Sequence, residues 1–228
     1  MATKKTPAKK APATKTAPKK AAAASSPRTA ANRRVTSDRA AAFTAPTLSL
    51  AEGKTVADRL QGRLVGLTDL ALTLKHIHWN VVGPNFIAVH EMLDPQHDGV
   101  MAMVDELAER ISTLGGSPSG LPGKLVATRT WDDYDLDRAD SLVHMGALDL
   151  VYQGAIEDHR DAIDDIGDID AISEDLLVGQ TRQLELYHWF VRAHLADAAG
   201  GMANAGATTE MGAAEAVAAK SSARTRNR

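Results

Sequence analysis

Apolar residues recur at three- and four-residue steps along four stretches of the chain, and the steps predict four long amphipathic helices. In the first, Val56, Leu60, Leu64, Leu67, Ala71 and Leu74 form the stripe, and His78 falls four residues further along it, pointing inward. The capping signal Ser49-x-x-Glu52 sets its start, so this helix is expected over about 52 to 81. Gly83-Pro84-Asn85 breaks the pattern. Phe86, Val89, Leu93, His97, Val100, Val104, Leu107, Ile111 and Leu114 restart it over about 86 to 114, where Gly115-Gly116 stops it. So short a link makes the two helices antiparallel. Gly115 to Tyr134, with Pro118, Gly120, Pro122 and Gly123, is too long for a bundle turn and is expected to cross over, with one short helix on the way. Asp135 is the expected cap of the third helix, whose stripe is Leu142, Met145, Leu148, Tyr152, Ile156, His159 and Ile163, ending near Gly167. Asp170 opens the fourth, carrying Ile172, Leu176, Leu184, Tyr187, Val191 and Leu195. The fold class is an all-α four-helix bundle with a long crossover between its second and third helices.

Beside the second apolar stripe lie His90, Asp94, Met101, Asp105 and Glu109, on a face roughly 100° wide at about 100° per residue. Imidazole and carboxylate together suit iron, zinc or manganese. Yet His90 and Asp105 are about 22 Å apart along one helix at ~1.5 Å per residue, whereas groups sharing a metal converge within a few ångströms. One chain cannot close such a site. His78 and His90 flank the short link and sit at one end, while Asp105 and Glu109, at i and i+4, pair far down the second helix. Packing that helix antiparallel against its copy across a two-fold axis brings the carboxylates of one subunit to the histidines of the other. Taken singly, each residue has a plainer reading, since a histidine on an apolar stripe is often a hydrogen-bonded core residue and Asp105, Glu109 and Arg110 together make a solvated face. Their conjunction favours a metal site shared at a dimer interface.

Charge changes the picture at the N-terminus. Lys4, Lys5, Lys9, Lys10, Lys15, Lys19, Lys20, Arg28, Arg33 and Arg34 occur before Asp38 with no acid among them, which leaves 16 basic against 29 acidic residues from Asp38 onward, a formal charge of −13. The overall net charge of −3 therefore conceals a bipolar chain. Residues 1–45 are Ala, Pro, Thr and Lys without apolar periodicity and are expected to be disordered, like the Lys-Ala-Pro tails of linker histones. Such a segment binds DNA phosphates non-specifically by counterion release; with all ten charges engaged, the logarithmic salt slope approaches roughly −9 per tail. A solubilising arm, self-association through the acidic body, or an organelle transit peptide are the other readings. Residues 46–200 hold the bundle, and residues 201–228, small and polar with Lys220, Arg224, Arg226 and Arg228, are expected to be a flexible tail with a weaker case for DNA. Cysteine is absent, so thiolate metal sites are excluded and metal must go to histidine and carboxylate. With no apolar run of membrane-spanning length and no signal-peptide core, a soluble, cytoplasmic protein is expected.

His78-Trp79-Asn80, Gly83-x-x-Phe86, His90-Glu91-x-x-x-Asp94 and Asp105-x-x-x-Glu109-Arg110 resemble the signature of the Dps family, the ferritin-like "DNA-binding proteins from starved cells". The likeness extends more loosely to Leu184-Glu185-x-x-x-Trp189-Phe190 and covers roughly residues 45 to 200. The resemblance implies a ferritin-like fold and a ferroxidase that binds iron, at most a pair of ions per site. His78 and His90 of one subunit and Asp105 and Glu109 of its two-fold mate are the implied ligands, with Asp94 as an additional ligand or an orienting group. It further implies hydrogen peroxide as preferred oxidant, a hollow dodecamer of tetrahedral symmetry storing ferric mineral, and an association with DNA in the nucleoid. Trp79, beside His78, would then scavenge stray oxidising equivalents or simply pack.

The acidic run Asp164, Asp165, Asp168, Asp170, Glu174, Asp175 is ordinarily a solvated corner with helix N-terminal charge. In a closed shell, Asp168, Asp170 and Asp175 would line a three-fold pore that attracts Fe²⁺. Glu185 and His188 form the single Glu-x-x-His, so the intra-bundle di-iron site of ordinary ferritins or manganese catalases cannot be built. They are expected on a partly exposed helix face; His76 and the lone helical residues His97, His144, His159 and His194 are expected in surface or packing roles. The rival function is a nucleoid-compacting DNA-binding protein with a structural metal site and little ferroxidase activity.

Overall fold

The structure, a computed structural model, describes residues 42–226, so the ten basic residues from Lys4 to Arg34 lie outside the described region. Helix α1 is Leu50–Asn80 and α2 is Phe86–Thr113. Ser49 and Glu52 form the expected reciprocal cap: the Glu52 amide donates to Ser49 Oγ at 3.2 Å and the Ser49 amide to Glu52 Oε2 at 2.8 Å. The crossover carries the short helix α3, Pro122–Thr128, with proline in its first turn, where a missing amide hydrogen costs nothing. Gln61 of α1 holds the segment before α3 through both its amide atoms, accepting from the Ser119 amide at 2.8 Å and donating to the Ser119 carbonyl at 3.0 Å.

The third long helix, α4, is Ser141–Ile166, and its cap is Asp140 rather than Asp135. The reason is a pairing that local sequence does not reveal. Strand β1, Val81–Val82, runs parallel to strand β2, Ala139–Asp140, with Val81 opposite Ala139 and Val82 opposite Asp140. The ladder keeps the chain extended up to Asp140, whose Oδ1 then accepts the Leu142 amide at 3.0 Å. Gly83 turns the chain out of β1 at φ 100°, and a Cβ there would lie 2.4 Å from Asp140 Oδ2. Both the backbone conformation and the close approach require glycine.

Helix α5 is Ala171–Leu195. The stripes meet in one core that includes Val56, Leu60, Leu67, Leu74, Leu93, Leu107, Met145, Leu148, Tyr152, Leu177, Leu184 and Val191. Phe86, at the start of α2, is exposed, and two further stripe positions differ from expectation. Ile172 is exposed while its neighbour Ser173 is buried, and His97 sits at the rim beside Asp98 while Gln96 is buried, accepting from the Tyr152 hydroxyl at 2.7 Å.

The larger correction concerns the C-terminal segment. Residues expected as a flexible tail form helix α6, Glu210–Arg226, which packs on α4 through Ala213, Ala214 and Val217. Its apolar side chains are too small to announce a stripe, and they work because Gly146 lets the two backbones approach: a Cβ at Gly146 would lie 2.8 Å from Val217 Cγ2 and 3.0 Å from the Ala213 carbonyl oxygen. Asn204 anchors the approach to α6 by donating to Asp149 Oδ2 at 2.7 Å, and Lys220 Nζ donates to the Met202 carbonyl at 2.8 Å. Gly146→Ala is therefore expected to act against propensity. Alanine favours a helix interior by about 1 kcal/mol over glycine, but overpacking of the contact costs ~1–3 kcal/mol. The expected outcome is faster amide hydrogen exchange across 210–226 with little change across α1 and α2.

Candidate metal centre

His78 lies in the last turn of α1 and His90 in the second turn of α2, on either side of the β1 link. Their rings stack with centroids 3.6 Å apart and planes 22° from parallel. His78 Nδ1 is 3.0 Å from the His90 carbonyl oxygen and His90 Nδ1 is 2.9 Å from that of His78. A carbonyl oxygen only accepts, so each Nδ1 carries a proton, and in the neutral form of each ring Nε2 is the nitrogen with the lone pair. The α1 carbonyl is free to accept because the last turn of a helix has no intrahelical donors for its own carbonyls. Phe86 leans on the His90 ring at 4.8 Å, while Trp79 stands 71% exposed on the other side of His78. The result is a pair of oriented imidazoles, the arrangement in which a second hydrogen bond fixes a metal-binding tautomer.

Asp94, one turn beyond His90, joins the pair: its Oδ1 accepts from Lys75 Nζ at 2.8 Å and lies 3.2 Å from His78 Nδ1. The Lys75 hydrogen bond holds the Asp94 carboxyl below the usual carboxylate range against a smaller desolvation penalty, and the two histidines add to the lowering. Asp105 and Glu109 are exposed further along α2, and among the described residues no three His, Asp or Glu side chains of one chain group to hold a metal. His78, His90 and Asp94 are thus neighbours without forming a closed ligand set, and Asp105 and Glu109 stand apart from them on the same helix.

The acidic corner divides. Asp168 and Asp175 are exposed, but Asp170 is buried and ion-paired, which removes it from the expected pore lining. Arg110 Nη2 donates to Asp170 Oδ2 at 2.6 Å and Arg110 Nε to Ser173 Oγ at 2.9 Å, while the Ser173 hydroxyl donates to the same Asp170 oxygen. Burial pushes the Asp170 carboxyl up, but the hydrogen bonds from Ser173 and Arg110 outweigh it and leave it below its ordinary range. This triad also explains why Ser173 rather than Ile172 faces inward.

Glu185 and His188 do not share a site. Glu185 pairs with Arg160, whereas His188 Nε2 is 2.6 Å from Oδ1 of the buried Asp149, which Arg192 Nε also approaches at 3.3 Å. His188, half-buried on the expected partly exposed face, is thus tied to a buried carboxylate, because Asp149 needs partners. The sequence signal was an aspartate beside the α4 stripe with a histidine and an arginine four apart on α5. His144 and His159 are completely enclosed in α4; burial, and then Arg63, push the His159 imidazole down to about 4. His76 packs as expected, Nε2 against the Leu136 carbonyl at 2.8 Å.

Asp170→Asn is expected to destabilise the fold by about 2–4 kcal/mol by leaving Arg110 without its counter-charge. Because the folded carboxyl titrates below the ordinary value of about 4, the stabilisation is complete above that value and is lost as pH falls below it. Urea melts at several pH values should show the wild type converging on the variant only in acid.

Comparison with known proteins follows this geometry. The ferritin-like domain family matches residues 57–200. A DNA protection during starvation protein from Mycolicibacterium smegmatis is 54% identical over 173 residues, 76% of this chain and 94% of that protein. The fine tangled pili major subunit of Haemophilus ducreyi is 56% identical over 152 residues, 67% and 80% of the two chains. Among solved structures, Mycobacterium smegmatis Dps superposes with a TM-score of 0.72 at 53% identity, covering 73% of this chain and 95% of that one. DpsA14 from Streptomyces coelicolor gives 0.71 at 54% identity, covering 72% and 98%.

Proposed function

The chain belongs to the Dps family of ferritin-like proteins, and we propose that it is an iron-storing, DNA-protecting mini-ferritin that takes Fe²⁺ as its substrate. The observation that carries this reading is the reciprocal hydrogen bonding of His78 and His90, which commits both Nδ1 atoms to carbonyl oxygens and leaves Nε2 of each ring as the nitrogen to meet a metal. His78 and His90 take Fe²⁺ at Nε2, and Asp105 and Glu109 of the two-fold mate supply hard anionic oxygens that favour the ferric product. Asp94, kept ionised by Lys75, adds charge at the mouth of the site. A pair of Fe²⁺ ions gives one electron each to hydrogen peroxide, whose O–O bond breaks to hydroxide, so no hydroxyl radical is released. The ferric ions hydrolyse, shed protons and pass inward as mineral.

The solved structures of relatives support a homo-oligomer, and the reading here is a hollow dodecamer in which the exposed Asp168 and Asp175 draw Fe²⁺ toward a three-fold pore. Residues Lys4 to Arg34 bind DNA through phosphates without reading sequence, and many copies on one shell raise their effective concentration. Among the described residues no helix is long and apolar enough to cross a membrane, and a nucleoid-associated place in the cytoplasm is part of the proposal. The concentration of charge before Asp38 favours one second reading, a nucleoid-compacting protein whose metal site is structural.

Deleting residues 1–37 separates the two. On the iron-storing reading the truncated protein oxidises Fe²⁺ with peroxide at the wild-type rate, well above buffer, and loses DNA retention along with its steep salt dependence, roughly −9 per tail in the logarithmic slope. His90→Ala in the full chain should slow iron oxidation by roughly 10–100-fold and leave DNA retention intact. Peroxide-dependent oxidation no faster than buffer by the full-length protein would overturn the ferroxidase assignment.

A further inference from the structure

Helices α1 and α4 run antiparallel where Arg63 Nη1 pairs with Asp158 Oδ2 at 2.9 Å and Arg59 pairs with Asp165. Beyond that pairing each helix contributes a glycine, Gly66 and Gly154, and a cavity of about 320 Å³ opens beside them. A Cβ at Gly154 would meet nothing within 4 Å, and one at Gly66 only Trp131 Cη2, at 3.8 Å. Trp131, on the crossover, forms an aromatic wall. Its indole Nε1 donates to Asp69 Oδ2 at 2.7 Å, and Arg129 Nη1 holds the other oxygen of the same carboxylate at 3.1 Å, so the ring is pinned in place.

The lining is strongly anionic. Asp69, Asp132, Glu157, Asp158, Asp161 and Glu210 face a single cation among the described lining residues, Arg63, which Asp158 already engages. Glu210, at the start of α6, stands half-buried near Asp69 and Tyr134; burial and then Asp69 raise its carboxyl, and no donor among the described residues pairs with it. At the other end lies His159, 1% exposed. Its Nδ1 donates to the Ala155 carbonyl at 3.0 Å, so Nε2 is the acceptor of the neutral ring, and no donor reaches it although Gln180 lies close. Each end of the cavity thus holds an acceptor without a donor. Between them the walls are apolar, with Leu70 and Val151 beside the two glycines.

These features select the occupant. An anion is repelled by the carboxylates, and no three His, Asp or Glu side chains among the described residues group closely enough to hold a metal ion. An organic ammonium suits both surfaces, its charge against carboxylates and an indole face and its methylenes along the apolar stretch. The two ends set the number of charges. Arg63, which marks Asp158, and Asp69 are six residues apart on α1, about 9 Å at ~1.5 Å per residue, a span that a linear chain with an ammonium at each end bridges. We propose that this cavity binds a linear aliphatic polyamine, with one ammonium among Glu210, Asp69 and the Trp131 ring and another at Asp158 and His159 Nε2. The site is separate from the iron ligands.

The test titrates 1,5-diaminopentane into the full-length, metal-free assembly by isothermal calorimetry, in about 0.15 M salt with excess Mg²⁺ to cover exposed carboxylates. No iron is present, so the outcome is independent of the ferroxidase assignment. The proposal expects saturable binding at one site per subunit, with pentylamine, which has a single ammonium, weaker by about tenfold or more. Glu210→Gln should weaken the diamine by a similar factor. Gly154→Leu, whose side chain grows into the cavity, should abolish binding, whereas Asp98→Asn, at an exposed carboxylate on α2, should leave it unchanged. Absence of saturable binding, equal affinity for pentylamine, displacement by Mg²⁺, or an affinity indifferent to Glu210→Gln overturns the proposal, and those readouts decide the matter even if Gly154→Leu fails to fold.

Discussion

A straight helix rises about 1.5 Å per residue, and that constant governs this molecule. It holds His90 and Asp105 too far apart along α2 to touch one ion, so the imidazoles and the carboxylates that suit iron stand at separate places on one chain. What one chain completes is only the imidazole half. There the β1 link brings the end of α1 against the start of α2 closely enough for two histidines to exchange Nδ1–H to carbonyl hydrogen bonds, and Gly83 allows the turn. The same tight link sends the carboxylate pair far down α2, and the proposal of a site shared between paired subunits rests on that one geometric fact.

Around that centre, polar groups rather than apolar ones settle how elements end and dock. Asp140 starts α4, Asp170 joins Arg110 and Ser173 where α5 begins, and Asp149 gathers His188, Arg192 and Asn204 where the chain leaves the bundle for α6. Asp170 and Asp149 are carboxylates that burial alone would not tolerate and that partners keep in place. The apolar core supplies most of the driving force, whereas these carboxylates fix which backbone goes where.

What was legible in the sequence follows from the range of the interaction involved. The cap of α1, the Gly-Pro-Asn link, the inward His78 and the short α3 rest on contacts within a turn or two or on periodicity, and all stand where the pattern put them. Asp135 was the wrong cap because β1 and β2 pair across more than fifty residues. Asp170 looked like pore lining because its partner Arg110 lies sixty positions away. Helix α6 was missed on other grounds: alanine and glycine packing buries little side chain per residue, so it leaves no stripe to read, although Gly146 makes the contact close. The proximity of His78 and His90 was readable because the link between their helices is short; the closing of the proposed site by a second chain is not read from one chain.

The measurement that bears most directly on the shared site is peroxide-dependent Fe²⁺ oxidation by assemblies made from two defective subunits. His90→Ala and Asp105→Ala proteins are prepared separately, then unfolded and reassembled together. The account predicts that each alone is slow and that the mixture recovers activity, since pairing the variants regenerates intact sites from the imidazoles of one and the carboxylates of the other. A mixture no faster than its components, with assembly verified by size, would contradict the claim that the site is built from two chains.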